Sequence, residues 1–182
     1  ATELGAILPA THKNGVTNPH RIFFFVNPSS GGNVAGSVTR LNLNAVGFGK
    51  QNLVVHVHNL KDTRDRIAGF ALLRAYASQK NHRCRAVCCG GDGTVKWIMD
   101  ELEPRNLLEQ IPIGVVPFGT GNDMARVLGW GGFAPSKLIG NELQHLKKHA
   151  ETVATGAVPA MLDVWNVEFV PAKDDPTAPQ FE

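Results

Sequence analysis

Short apolar runs alternate with glycine-rich or polar punctuation along the chain. Arg21-Ile-Phe-Phe-Phe-Val26 is continuously apolar, with no polar alternation. That pattern predicts a strand at 21–26 covered on both faces in a parallel sheet. The β-branched run Leu53-Val-Val-His-Val57 predicts a strand at 52–57, and further apolar runs predict strands at 84–89 and 111–116. Helical periodicity fills the gaps between them. Asp62 or Thr63 can cap a helix reaching about residue 76, with Ile67, Phe70, Ala71 and Leu73 on its apolar side. Val95, Ile98, Met99 and Leu102 stand at i, i+3, i+4 and i+7 and predict a helix over 94–102. A short helix is expected over 123–128, and a weak one over 34–43, where glycines shorten its reach. Ser136 can cap a last helix that stacks Ile139, Leu143, Leu146 and Ala150, with Lys147 and Lys148 suiting its C-terminal dipole.

Strand, glycine turn and helix thus recur three times, with one further strand–helix unit between. The order predicts an α/β fold, a three-layer α/β/α sandwich on a mostly parallel sheet. Ligands of such sheets bind at the carboxyl ends of the strands. Every glycine-rich turn here follows a strand, so all three are expected on that edge. The expected organisation is a flexible lead-in over 1–20 and a nucleotide-binding α/β domain over 21–150. Strands near 152–157 and 161–170 would then enter a truncated β-rich second domain over 151–170, followed by a linker or tail over 171–182.

Composition narrows the function classes. The 182 residues are 43% hydrophobic and 19% charged, an ordinary folded chain, and the formal charge of +2 gives no reason to expect nucleic-acid binding. No apolar run approaches the roughly 18 residues of a membrane span. The first ten residues lack the basic region of a signal peptide. A start at Ala1 rather than Met reads as a processed or excised chain. Cys84, Cys88 and Cys89 lie on one predicted strand without the spacing of a zinc site. They read as buried thiols, which suits a reducing compartment.

The glycine turns carry the candidate chemistry. In Gly90-Gly-Asp-Gly-Thr94 the glycines, Gly91 and Gly93 among them, let backbone N–H groups approach phosphate, and the following helix adds its positive end. Asp92 suits a phosphate only with Mg²⁺ or its water shell between them; otherwise it caps a helix in a tight turn. Asn27-Pro-Ser-Ser-Gly-Gly-Asn33 also suits phosphate but has no P-loop lysine, and neither the P-loop nor the dinucleotide glycine pattern occurs in the chain. In Gly119-Thr-Gly-Asn-Asp123, Asn122 and Asp123 either hold nucleotide and metal-bound water or cap a helix. His56 and His58 share one strand face and read as surface or packing residues. Asp62 and Asp65 read as solvated charges.

Taken together, Phe24-Phe-Val-Asn-Pro-Ser-Ser-Gly-Gly32, Cys89-Gly-Gly-Asp-Gly-Thr94 and Val116-Pro-Phe-Gly-Thr-Gly-Asn-Asp-Met-Ala-Arg126 resemble the diacylglycerol kinase catalytic domain. The wider superfamily includes sphingosine and ceramide kinases and, more distantly, NAD kinases and phosphofructokinases. The extension Val127-Leu-Gly-Trp-Gly-Gly132 is similar to the eukaryotic diacylglycerol kinase form. The resemblance implies transfer of the ATP γ-phosphate to the hydroxyl of diacylglycerol, giving phosphatidic acid, with Mg²⁺ required. It places Asn27, Ser30, Gly31, Gly91, Asp92, Gly93, Thr94, Gly119, Thr120 and Asn122 on the nucleotide. It makes Asp92 the catalytic residue within this chain, and it puts Asp92 and Asp123 near metal through water. It also implies a cytoplasmic protein in transient contact with a membrane, because the substrate lives there. Kinases of sphingosine or ceramide, or a non-catalytic nucleotide-binding module, are the alternatives. This chain departs from the family at Leu162-Asp-Val-Trp165, where relatives read Arg after the Asp. The family's general base lies in the second domain, so the resemblance puts it outside these residues.

Overall fold

The computed structural model describes residues 18–32, 35–40, 43–49, 52–133, 143–165 and 167–168. The chain runs β1 (His20–Val26), α1 (Gly36–Thr39), β2 (Val46–Phe48), β3 (Leu53–Asn59), α2 (Thr63–Ala77), β4 (Cys84–Gly90), α3 (Asp92–Leu102), β5 (Ile113–Pro117), α4 (Asp123–Val127) and α5 (Gln144–Glu151). The sheet order is β2-β3-β1-β4-β5. β1 pairs in parallel with β3 and with β4, and β4 with β5; only β2 is antiparallel, against β3.

Strand alternation makes the two layers of core. Ile22, Phe24 and Val26 face a cluster completed by Ala35, Val38, Leu146, Ala150 and Val153. Phe23 and Phe25 face the other side, against Phe70 and Leu73 of α2 and Val95, Ile98 and Leu102 of α3. A residue run apolar on both faces needs helices on both sides, and it has them. This is the three-layer arrangement expected from the order of the elements. Asp62 caps α2, its side chain accepting from the N–H groups of Arg64 and Asp65.

Several expectations are revised. β2 was not legible, because a three-residue edge strand with a central glycine carries no periodicity. The helix expected over 34–43 covers only Gly36–Thr39, and Leu43 lies outside it in the core. The last helix starts at Gln144, after Leu143 in a left-handed conformation with φ of 67°; Ser136 and Ile139 lie outside the described residues. The strand expected over 152–157 is instead a π-helical turn, Thr152–Gly156, continuing α5. β-branched Thr152 and Val153 suggested a strand. The apolar stripe of Leu146, Ala150 and Val153 prevails, burying the turn against the sheet. The hydroxyls of Thr152 and Thr155 donate to the carbonyls of Lys148 and Glu151, one turn back. Residues 157–165 and 167–168 are irregular, and all but the half-buried Ala157 are exposed, so the strand expected over 161–170 has no counterpart among the described residues. Of the lead-in expected over 1–20, residues 1–17 lie outside them and His20 already belongs to β1; the tail over 171–182 also lies outside.

Candidate functional site

Register brings the three glycine turns to one edge. Val26 pairs with Cys89 and Gly90 with Pro117, so the loops after β1, β4 and β5 leave the sheet side by side. The N–H of Asn27 donates to the Cys89 carbonyl at 3.0 Å, and its side-chain amide donates to the Thr94 hydroxyl at 3.2 Å. Gly31, at φ of +62°, sits so close to the third loop that a Cβ would lie 2.6 Å from the Phe118 carbonyl oxygen. Gly91 is equally constrained: a Cβ there would lie 2.6 Å from the Gly121 oxygen and 3.1 Å from the Gly119 Cα. Glycine at these positions allows backbone to meet backbone.

Asp92 ties the second loop to the third. Its N–H donates to the Gly121 carbonyl at 3.1 Å. Its two carboxylate oxygens accept from the N–H groups of Asp123, at 2.9 Å, and Met124, at 3.1 Å. Asp92 thus caps α4, a neighbour in space, while opening α3 itself. Each carboxylate oxygen keeps a further lone pair. Asp123 is exposed, and its carboxylate accepts from Arg126 at 3.0 Å. Among the described residues no group of three or more His, Cys, Asp or Glu side chains is placed to hold a metal ion.

The remaining expected residues divide into two groups. Thr94 and Asn122 are buried. The Asn122 amide donates to the Gly119 and Gly132 carbonyls, and its oxygen accepts from the Gly119 N–H at 3.1 Å. These two side chains hold the loops from behind. Gly31, Gly32, Gly93, Thr120 and Gly121 are exposed, and among the described residues their N–H groups have no acceptor. A Cβ at Gly93 would meet nothing within 4 Å, so open space adjoins the first turn of α3. Ser30 is half-buried, its N–H donating to the Asn27 carbonyl at 3.0 Å. Exposed N–H donors beside a helix N-terminus have the chemistry to receive an anion.

Two cavities stand out, one at this edge and one along β5 toward its amino end. One, of about 460 Å³, is polar and lined by Arg40, Asn44, Asn59, Asp62 and Asp65 among others. Asn59 pairs with Val26, and the Leu60 N–H donates to the Val26 carbonyl, so this cavity adjoins the first loop. The other, of about 610 Å³, is mostly apolar and lies beside β5, with Met99, Val115, Met124, Trp130 and Val153 in its walls. Arg85 also lines it and donates to the carbonyls of Val153, at 2.7 Å, and Ala157, at 2.9 Å.

Burial pushes the His56 imidazole down to about 4, helped by the Arg21 charge, and also lowers His149. Burial raises Cys84 to about 11 and raises Cys88 and Cys89 as well, so all three cysteines are inert free thiols. His56 and His58 pack in the core, stacked on Phe23 and Phe25, and are not surface residues. Sequence reasoning missed two features. The capping of α4 by Asp92 joins residues 31 positions apart, and no spacing announces it. Asp65 is no solvated charge: it accepts from His58 Nδ1 at 2.7 Å and from the Asn59 N–H at 2.7 Å. No helix among the described residues is long and apolar enough to cross a membrane.

Residues 21–158 match the family model described as the diacylglycerol kinase catalytic domain. Diacylglycerol kinase 1 of Drosophila melanogaster is 42% identical over 95 residues, covering 51% of this chain and 7% of that protein. Diacylglycerol kinase zeta of Homo sapiens is 31% identical over 150 residues, covering 82% of this chain and 14% of that protein. A solved structure from Bacillus anthracis str. Sterne aligns over 80% of this chain and 41% of its own, at 20% identity and a TM-score of 0.45.

Proposed function

The chain belongs to the diacylglycerol kinase catalytic-domain family, and from that premise we propose that it is the nucleotide-binding part of an ATP-dependent kinase that converts diacylglycerol to phosphatidic acid. The observation that carries this reading is the shared edge. Exposed N–H groups of Gly31, Gly32, Gly93, Thr120 and Gly121, free of acceptors among the described residues, come from three loops: Asp92 and Gly91 lock the second to the third, and Asn27 and Gly31 hold the first against both. Backbone donors in such numbers suit the phosphates of ATP where a loop lysine is missing. Gly31, Gly93, Thr120 and, from behind, Asn27, Ser30, Gly91, Thr94, Gly119 and Asn122 form the phosphate cradle. Parallel strands lie roughly 4.8 Å apart, so the polar cavity at β3 is about two strand spacings from the α3 N-terminus. A nucleotide laid across β1 reaches both, its base and sugar in that cavity.

Asp92 and Asp123 fit Mg²⁺ as hard oxygen donors, and two carboxylates suit an ion that keeps phosphate and water ligands. They would hold it through water, and it would offset charge developing on the transferred phosphoryl group. In the reaction the bond from the γ-phosphorus to the β–γ bridging oxygen breaks, a bond from the lipid hydroxyl oxygen to that phosphorus forms, and the hydroxyl proton passes to a base. No described residue at the loops offers that base. The chain spans only 7% to 14% of the relatives named above. We place the base and the lipid wall in a second, β-rich domain that residues 151–170 lead into, with the enzyme in the cytoplasm and in transient contact with the membrane. The test measures ATP binding by calorimetry and turnover with diacylglycerol. The 182-residue chain should bind ATP with little turnover, and a protein of the relatives' length carrying it should make phosphatidic acid. Turnover on a sphingoid base or ceramide alone would overturn the substrate; no ATP binding would overturn the reading.

A further inference from the structure

The polar cavity beside the first loop contains a carboxylate held with unusual care. Asp65 stands in the first turn of α2, about one third of its side chain exposed. One oxygen accepts from His58 Nδ1 at 2.7 Å and the other from the Asn59 N–H at 2.7 Å. Both donors are fixed. Asn59 is the last residue of β3, in register with Val26. His58 is buried, stacked near Phe25 with ring centroids 5.8 Å apart. On its other side Gly69 of α2 comes so close that a Cβ there would lie 2.6 Å from the ring. His58 Nε2 is buried with no partner among the described residues, so the ring proton belongs on Nδ1, where Asp65 accepts it. An acid left to solvent needs none of this. A carboxylate whose orientation must not vary does.

We infer that Asp65, oriented by His58, recognises the sugar of the nucleotide, accepting hydrogen bonds from its vicinal hydroxyls, with His58 as a positioning residue. This rests on the nucleotide reading above and adds to it a specific contact. An ionised carboxylate only accepts hydrogen bonds, so its ligand must present donors. Each oxygen has one protein donor and one lone pair left for the cavity. Two such oxygens suit two adjacent hydroxyls, and they repel phosphate, which belongs at the glycine loops. The base is recognised by none of these atoms.

The experiment compares three probes on the 182-residue chain by calorimetry: ATP, 2′,3′-dideoxy-ATP and inorganic tripolyphosphate. Hydrogen bonds to a charged group contribute about 1.5–3 kcal/mol each, so ATP should bind at least about tenfold more tightly than the dideoxy nucleotide. Asp65→Asn and His58→Leu should each erase most of that preference. His58→Asn, whose amide can replace the Nδ1 donor, should keep it. Tripolyphosphate should bind all four proteins alike. Equal affinity of the unaltered chain for ATP and its dideoxy analogue overturns the inference while leaving nucleotide binding intact. So does a loss of tripolyphosphate binding in parallel with ATP, which marks a merely structural pair. Failure of the unaltered chain to bind ATP overturns the nucleotide reading first, and this inference with it.

Discussion

Replacing Asp92 by Asn should cost stability even before any ligand is added. The carboxylate accepts from the N–H groups of Asp123 and Met124, one on each oxygen. Asparagine keeps one acceptor and sets an N–H₂ against the other donor. An N-cap of this kind is worth about 1 kcal/mol, and a hydrogen bond to a charged acceptor about 1.5–3 kcal/mol. The half-exposed site argues for the lower end, so the loss should be about 1–2 kcal/mol. For a chain of this size each kcal/mol moves Tm by roughly 2–4 °C, giving a fall of about 2–8 °C. Thermal unfolding followed by circular dichroism, without nucleotide or metal, measures it directly. Nucleotide affinity should fall in the same variant, because α4 and the third loop are no longer fixed against the second. A variant that lost nucleotide binding while keeping its Tm within about 1 °C would refute the structural part: Asp92 would then act on the ligand alone.

Three further outcomes are expected. Gly91→Ala must push a Cβ into the Gly121 carbonyl, whereas Gly93→Ala meets open space; the first should lower Tm by several degrees and the second should leave Tm intact but weaken ATP binding, both read by thermal shift and calorimetry. His56, held down to about 4 in the fold against an ordinary 6.5, takes up its proton earlier in the unfolded chain; stability should therefore be full above pH 6.5 and decline as pH falls towards 4, by at most about 3 kcal/mol, and urea midpoints of His56→Phe should show a flatter decline. Arg85→Met removes the donor to the Val153 and Ala157 carbonyls, so limited proteolysis should cut faster within 153–165 while the sheet persists.

The sheet was legible because its strands are buried on both faces, and a run such as Ile22-Phe-Phe-Phe-Val26 has few other uses in a soluble fold. The helices α2 and α3 were legible for the complementary reason: one stripe each of apolar residues, and a capping Asp62. The edge strand β2 and the turn Thr152–Gly156 were not. Their structure comes from what they pack against, β3 in one case and the sheet face in the other. The location of the glycine loops followed from topology alone. The division of labour within them did not. Thr94 and Asn122 look like ligand contacts in sequence, yet their side chains are buried and bound to the protein, and the exposed donors are backbone groups common to every residue type. Likewise nothing in Asp65 distinguishes it from its neighbour Asp62 until His58 is seen to reach it across seven positions.

β1 occupies the middle of the sheet, and both of its partners come later in the chain. During synthesis its Ile-Phe-Phe-Phe-Val run emerges first and cannot complete its pairing until β4, some sixty residues further on, has left the ribosome. At about 5–20 residues per second this wholly apolar run stays uncovered for several seconds. Non-local parallel pairing is also slow. The burden of avoiding self-association therefore falls on the nascent state, and a chaperone that binds short aromatic-aliphatic segments would find a target at residues 21–26.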